Sequence, residues 1–430
     1  MNNDPGTILD EGPMHRLQVT VVALCIALTA LDGFDVLAIS FAAPGIAAEW
    51  GIDRGVLGVV LSMELLGMAL GSVLIGNLAD RIGRRPTILG CLVVMTAGML
   101  CAAFAADLTM LSATRFVTGL GIGGMLSSTS AMVAEFSSAR RRGMNLSFNI
   151  AGYSVGAILG GMLASLLLAD AGDWRRIFLL GAGMTAVLLP VAVFALPESI
   201  GSLASRRPVD ALARINAVLA RLGRAPLGVL PQPQSHAKPS IATLFSPDYL
   251  RPTVLLTFAY FAQIMLFYYV QKWVPKIVVD MGFTAAEAGR VLVCANVGTL
   301  SGAVAIGLAS QKLPMRPTLA AVMAIGFGVI ALLGVVPQTL TALSLVVGVA
   351  GFFINAGVVG LYPVVAGVFP ATIRASGTGF VIGVGRGGSA LGPVIAGALF
   401  AGGGSLELVS LAMGAGGLVA AAAVLALPRR

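Results

Sequence analysis

The chain has 430 residues, of which 57% are hydrophobic and 11% charged, with a formal net charge of +8. A mean hydropathy of +0.94 lies far outside the range of soluble domains and excludes a water-soluble enzyme or binding module. The basic excess sits in short loops between apolar runs, a topology signal and not a nucleic-acid surface.

The opening stretch MNNDPGTILDEGPMHR is polar and acidic and lacks the basic start and cleavage site of a signal peptide, so residues 1–17 are expected to form a cytoplasmic tail. Apolar runs of about 20 residues follow. They predict twelve transmembrane helices near 18–43, 55–79, 86–106, 110–134, 144–168, 177–197, 252–274, 285–309, 317–336, 340–366, 376–401 and 406–427. The reading is an all-α polytopic membrane protein, with a first six-helix bundle at 18–198, a linker at 199–250 and a second bundle at 251–430. Within the linker, VDALARINAVLARLGR has the pattern of an amphipathic helix lying along the membrane interface.

With the N-terminus in the cytoplasm, Arg81, Arg84, Arg85, Arg140, Arg141, Arg142, Arg206, Arg207, Arg214, Arg221, Arg224, Lys312, Arg316, Arg374, Arg429 and Arg430 all fall inside. Arg54, Arg175, Arg176 and Lys276 fall outside, so the positive-inside rule holds with both termini cytoplasmic. Cys25, Cys91, Cys101 and Cys294 all lie in apolar runs, which fits packing residues and neither disulfides nor a metal site. His15 and His236 lie in tail and linker and carry no chemistry.

Two internal matches relate the halves. LLGMALGSVLIGNLADR aligns with NVGTLSGAVAIGLASQK, superposing Gly67 on Gly298, Gly71 on Gly302, Gly76 on Gly307 and Arg81 on Lys312. GYSVGAILGG from Gly152 aligns with GSALGPVIAG from Gly388. Parallel six-helix repeats build carriers whose site lies between the halves near the bilayer midplane. The same glycines also serve simple helix packing.

Charges inside the apolar runs are the strongest functional signal. LDGFDVLAIS buries Asp32 and Asp35 in the first span, and an ionised carboxylate there is costly unless paired, hydrated or protonated. Glu64 lies mid-way in the second span on a face with Gly67 and Gly71, Arg115 lies in the fourth near the depth of Asp35, and Glu135 ends that span. At ~1.5 Å per residue Arg386 lies about 16 Å into the eleventh span, close to the middle of a ~30 Å core. Asn296 and Asn355 are neutral polar groups that read either as helix glue or as cavity lining. YFAQIMLFYYVQKW, from Tyr260, concentrates aromatic and amide groups able to meet a ring and its hydroxyls, while Trp273 also reads as an interfacial anchor.

GNLADRIGRR, Gly76 to Arg85, closely resembles the G-x-x-x-D-R-x-G-R-R signature of the major facilitator superfamily, and RFVTGLGIGG, from Arg115, is similar to its second motif. DGFD, LPES at Leu196 to Ser199, and FPATIRASGTGFVIGVGRGGSALGP at Phe369 to Pro393 look like the aromatic acid:proton symporter family within it. The second-half counterpart of the first motif has decayed to GLASQKLP, with Gln311 in place of the acid.

The resemblance implies the major facilitator fold, two six-helix pseudo-repeats, and uptake of benzoate-, hydroxybenzoate- or phenylpropanoid-like acids with protons. It also implies Asp32, Asp35, Arg115, Glu135, Arg374 and Arg386 as the functional charges, while Glu64 departs from the family pattern, which has a small residue there. With the residues read above, the expected proton-coupling set is Asp32, Asp35, Glu64 and Glu135 and the expected substrate set is Arg115, Arg386, Asn296, Asn355, Tyr268 and Phe352. A conformational latch of Asp80, Arg81, Arg84, Arg85, Arg140 and Arg374 completes the implied sites. The expected setting is the cell inner (cytoplasmic) membrane, as a functional monomer in the lipid bilayer, with no cofactor, metal or nucleic acid and the proton gradient as energy source. Exporters of the superfamily carry a proline in the fifth-span motif where this chain has Ala157, which argues against export. A sensor on a transporter scaffold would carry a signalling domain, and none is read in the sequence.

Overall fold

In the computed structural model the apolar runs are helical throughout, because hydrocarbon offers backbone N–H and C=O groups no partner except each other. The structure describes residues 9, 13–171, 173–230, 241–370 and 373–428, and among them there is no strand. The helices are α1 (Arg16–Trp50), α2 (Arg54–Ile82), α3 (Arg84–Ala103), α4 (Leu108–Phe136), α5 (Arg142–Ala171), α6 (Arg175–Ala195), α7 (Ile200–Arg206) and α8 (Ala211–Arg221). They continue with α9 (Pro247–Asp280), α10 (Ala285–Ala309), α11 (Met315–Ala331), α12 (Leu340–Val368), α13 (Arg374–Gly385), α14 (Gly387–Ala401) and α15 (Leu406–Leu425). Twelve of the resulting segments are long and apolar enough to cross a membrane, as expected.

Three differences from the sequence reading have simple causes. Helix α1 runs past residue 43, through Pro44, to Trp50, and α9 runs past 274, through Pro275, to Asp280. Hydropathy marks where hydrocarbon ends, not where a helix ends. The eleventh span is one crossing but two helices, α13 and α14, broken at Arg386 where Gly383, Gly385, Gly387 and Gly388 crowd the sequence. The linker holds a short α7 as well as the expected amphipathic helix. That helix, α8, buries Ala211, Ile215, Val218 and Leu219, one face at the helical period. His236, Arg429, Arg430 and most of the proposed tail lie outside the described residues.

The chain forms two compact units that cut across the sequence halves. Unit 1 comprises residues 1–36, 67–157 and 178–236, and unit 2 comprises 37–66, 158–177 and 237–430. The ends of α1, α2 and α5 thus pack with the second-half helices inside unit 2.

The repeat glycines are where helices touch most closely. In unit 1 a Cβ on Gly67 or Gly71 would overlap the carbonyl oxygens of Phe116 and Leu120 on α4. In unit 2 a Cβ on Gly298 or Gly302 would overlap those of Gly348 and Phe352 on α12. Gly152 and Gly156 of α5 lie on Ile26 and Ala30 of α1, just as Gly388 and Gly392 of α14 lie on Phe261 and Met265 of α9. Both sequence matches therefore correspond to the same helix-on-helix contact made twice.

Gly71→Leu and Gly302→Leu should each lower the melting temperature of detergent-purified protein, at a cost of about 1–3 kcal/mol or more for overpacking. Gly307→Ala, where nothing lies within 4 Å, should be silent. Equal melting of all three with the parent would show that these contacts do not hold the bundles.

Candidate functional site

The DGFD stretch is built around a helix crossing. Gly33 lies against the Tyr153 carbonyl of α5, where any side chain would collide, and this crossing fixes Asp32 and Asp35 in the interior of unit 1. Asp32, Asp35 and Arg115 are fully buried. Arg115 Nη2 donates to the Asp35 carbonyl oxygen at 2.9 Å and Nη1 points at Met99 Sδ at 2.8 Å. Its guanidinium also sits 5.3 Å from the centre of the Phe178 ring. The expected approach of Arg115 to Asp35 is thus present, made to the main chain of the aspartate. Neither carboxylate oxygen of Asp32 has a hydrogen-bond partner among the described residues. One turn earlier on α1, Thr29 donates to Asn149 Oδ1 at 3.0 Å and lies 3.3 Å from the Thr129 hydroxyl.

In unit 2 the break in the eleventh span sets Arg386 against α9, with Gly385 and Gly388 lying on Tyr260 and Phe261. Arg386 is half-buried and electrostatically coupled to the hydroxyls of Tyr260, Tyr362 and Tyr268. The Tyr260 and Tyr362 hydroxyls are 3.4 Å apart and their rings meet edge-on at 6.1 Å. Arg386 makes no ion pair among the described residues. A guanidinium among three phenols is a ready receptor for a carboxylate carried on a ring.

The remaining substrate candidates hold helices together. Asn296 and Gln271 exchange amide hydrogen bonds at 3.1 and 3.3 Å, and Asn355 donates to the Thr299 carbonyl at 2.8 Å. The Phe352 carbonyl lies under Gly302, and its ring packs on Phe353 at 5.1 Å. Trp273 is fully buried and donates to the Pro393 carbonyl at 3.1 Å, so it is not an interfacial anchor. Its neighbour on α9, Lys272, escaped the sequence reading. It is fully buried with its Nζ 3.3 Å from the carboxylate of Glu64, itself fully buried. A lysine two residues from the outer end of a predicted span looks like a flanking residue, and only the longer helix puts it inside.

The loop motif forms a cluster within unit 1. Arg84 lies 3.0 Å from Asp80 and 3.8 Å from Glu135, and Ser199 donates a short hydrogen bond to Glu135. Gly83, at φ 113, turns the chain into α3. Glu198 of LPES caps that helix, accepting from the backbone N–H of Arg84 and Arg85 at 2.9 and 3.2 Å, and Arg206 stands 3.6 Å from it. Arg85 donates instead to the Val193 carbonyl at 2.7 Å. Arg81 and Arg140 are exposed and make no ion pair among the described residues, and Arg374, in unit 2, donates to the Phe369 carbonyl at 3.3 Å. Of the expected latch, the structure brings together Asp80 and Arg84 with Glu135, and adds Glu198, Ser199 and Arg206.

Residues 25–347 match the family model described as Major Facilitator Superfamily. The chain belongs to that superfamily. It is therefore a multi-pass membrane transporter and not an enzyme. The chain is 30% identical over 422 residues to a gallate transporter of Pseudomonas putida, covering 97% of this chain and 93% of that one. It is also 30% identical to a 4-hydroxybenzoate transporter of Pseudomonas aeruginosa, over 98% of this chain and 95% of the other. A third relative at 30% is a 3-(3-hydroxy-phenyl)propionate transporter of Escherichia coli, at 96% and 95% coverage. Among solved structures, a D-xylose-proton symporter shares the fold, with a TM-score of 0.73 at 19% identity, covering 95% of this chain and 97% of that one.

Asp32→Asn should fold as well as the parent, since the carboxylate oxygens it replaces have no hydrogen-bond partner among the described residues. Arg115→Met should destabilise by about 1–3 kcal/mol, because it takes the charged donor away from the buried Asp35 carbonyl. Thermal melts in detergent compare the two, and an Arg115→Met protein as stable as Asp32→Asn would remove Arg115 from the structural account.

Proposed function

We propose that this protein imports aromatic carboxylates together with protons by alternating access. The observation that carries this reading is Arg386, a half-buried guanidinium facing Tyr260, Tyr268 and Tyr362 and paired with no carboxylate among the described residues. A substrate carboxylate supplies the missing anion bidentately, and the phenols meet the ring and its hydroxyls. The names of the relatives, a gallate, a 4-hydroxybenzoate and a hydroxyphenylpropionate transporter, favour the same chemistry.

Coupling belongs to the first helix. Asp32 is a buried acid whose carboxylate has no hydrogen-bond partner among the described residues, so a proton has a place to bind there. Loading the proton and the substrate anion together keeps the sum of buried charge constant. One proton with one monoanion moves no net charge, whereas a second proton adds ~2.3 kcal/mol of drive per 100 mV. The cluster of Asp80, Arg84 and Glu135 at the loop acts on the balance of conformations and not on substrate. The protein works in the bacterial inner membrane with both termini cytoplasmic, as the distribution of basic residues favours.

Uptake of a panel of benzoates, hydroxybenzoates and phenylpropanoids, with and without an uncoupler, tests the assignment. Asp32→Asn should lose accumulation against a gradient while retaining exchange. Arg386→Lys should weaken binding by roughly 1–3 kcal/mol through loss of bidentate geometry, and Arg386→Ala should abolish the preference for an acid over its neutral amide. An alanine variant that keeps that preference would move the carboxylate to another cation.

A further inference from the structure

We propose that Glu64 and Lys272 form a membrane-embedded latch that closes the Arg54 end of α2 and breaks in each transport cycle. The two charges come from opposite sequence halves, α2 and α9, yet meet at 3.3 Å with both side chains fully buried inside unit 2. Around them the same two helices are joined again. Arg54 of α2 bonds Asp280 of α9 at 2.8 Å, its guanidinium stands 5.2 Å from the ring centre of Phe400 on α14, and Lys276 bonds the same aspartate. A Cβ on Gly58 would stand 2.6 Å from the Pro393 carbonyl, and one on Gly397 would stand 2.7 Å from that of Arg54. This end is shut by a rim of exposed ion pairs, a backbone-to-backbone contact and, deeper, one dry charge pair.

The charge pair has a physical purpose that an apolar contact would not serve. A buried ion pair contributes little net stability, because desolvation offsets the attraction, and apolar residues of equal volume commonly seal such a place better. A seal meant to be permanent would be apolar. A seal meant to open at the free-energy scale of ligand binding is better made from charges that water re-solvates on opening. A carrier that alternates access has to part α2 from α9 at this end, and the pair keeps the closed arrangement specific without making it deep. The inference rests on alternating access and not on the choice of substrate, so the uptake panel and the test below can fail separately.

The test uses purified full-length protein in detergent, with Cys25, Cys91, Cys101 and Cys294 replaced and Ser62→Cys introduced. Ser62 lies between Gly58 and Glu64 and is 2% exposed, so its reaction with a maleimide reports opening of this end. Glu64→Gln, which removes the carboxylate charge 3.3 Å from Lys272 Nζ, should raise the labelling rate about tenfold or more. The neutral pair Glu64→Leu with Lys272→Met should fold and label more slowly than the parent. The exchanged pair Glu64→Lys with Lys272→Glu should label within about twofold of the parent, since it keeps both charges at the same place. Should Glu64→Gln fail to fold, the two charge-balanced variants decide. A neutral pair that labels at the parental rate makes Glu64 and Lys272 a static structural element and overturns the proposal.

Discussion

A charge inside hydrocarbon must find a counter-charge, a dense set of hydrogen bonds or a proton, and this one constraint organises the molecule. Each buried charge answers it differently. Arg115 is absorbed by the Asp35 carbonyl, Met99 and Phe178. Glu64 and Lys272 answer one another. Arg386 has phenol hydroxyls and no ion pair among the described residues, and the Asp32 carboxylate has no hydrogen-bond partner among them. Arg386 and Asp32 are groups that a substrate anion and a proton would complete, which is why they carry the proposed function.

Close backbone contact makes these charges positionable. Where glycines let α1 lie on α5 and α9 on α14, helix axes approach until side chains near the crossing have a single place to go. Gly33 puts Asp32 and Asp35 in the interior of unit 1, and Gly385 and Gly388 put Arg386 beside Tyr260. The repeat thus builds two equivalent crossings and equips them unequally, with acids at one and a base with phenols at the other. Such an inequality fits the proposed carriage of a proton with an anion.

The loop cluster shows the same economy at the membrane surface. Glu198 caps α3 and meets Arg206, while Glu135 receives Arg84 and Ser199, so the motif between α2 and α3 is tied to the ends of α4 and α6 and to α7. Neutralising Arg84 would take the ion-pair partner from both Asp80 and Glu135.

Much of this was legible in the sequence, because hydropathy reports burial in lipid and a motif such as GNLADRIGRR has few other readings. Twelve crossings, the repeated glycine contacts and the buried acids all follow from local pattern. Three features did not. The break at Arg386 depends on how Gly385, Gly387 and Gly388 pack against α9. The place of Lys272 depends on α9 continuing as a helix beyond its most apolar stretch. The pairing of Lys272 with Glu64, 208 residues apart, depends on α2 and α9 meeting in one unit. Periodicity and composition fix what each residue needs, since solvation is a property of the residue and its immediate stretch. Which partner meets that need is a property of distance between helices, and only the tertiary structure decides it.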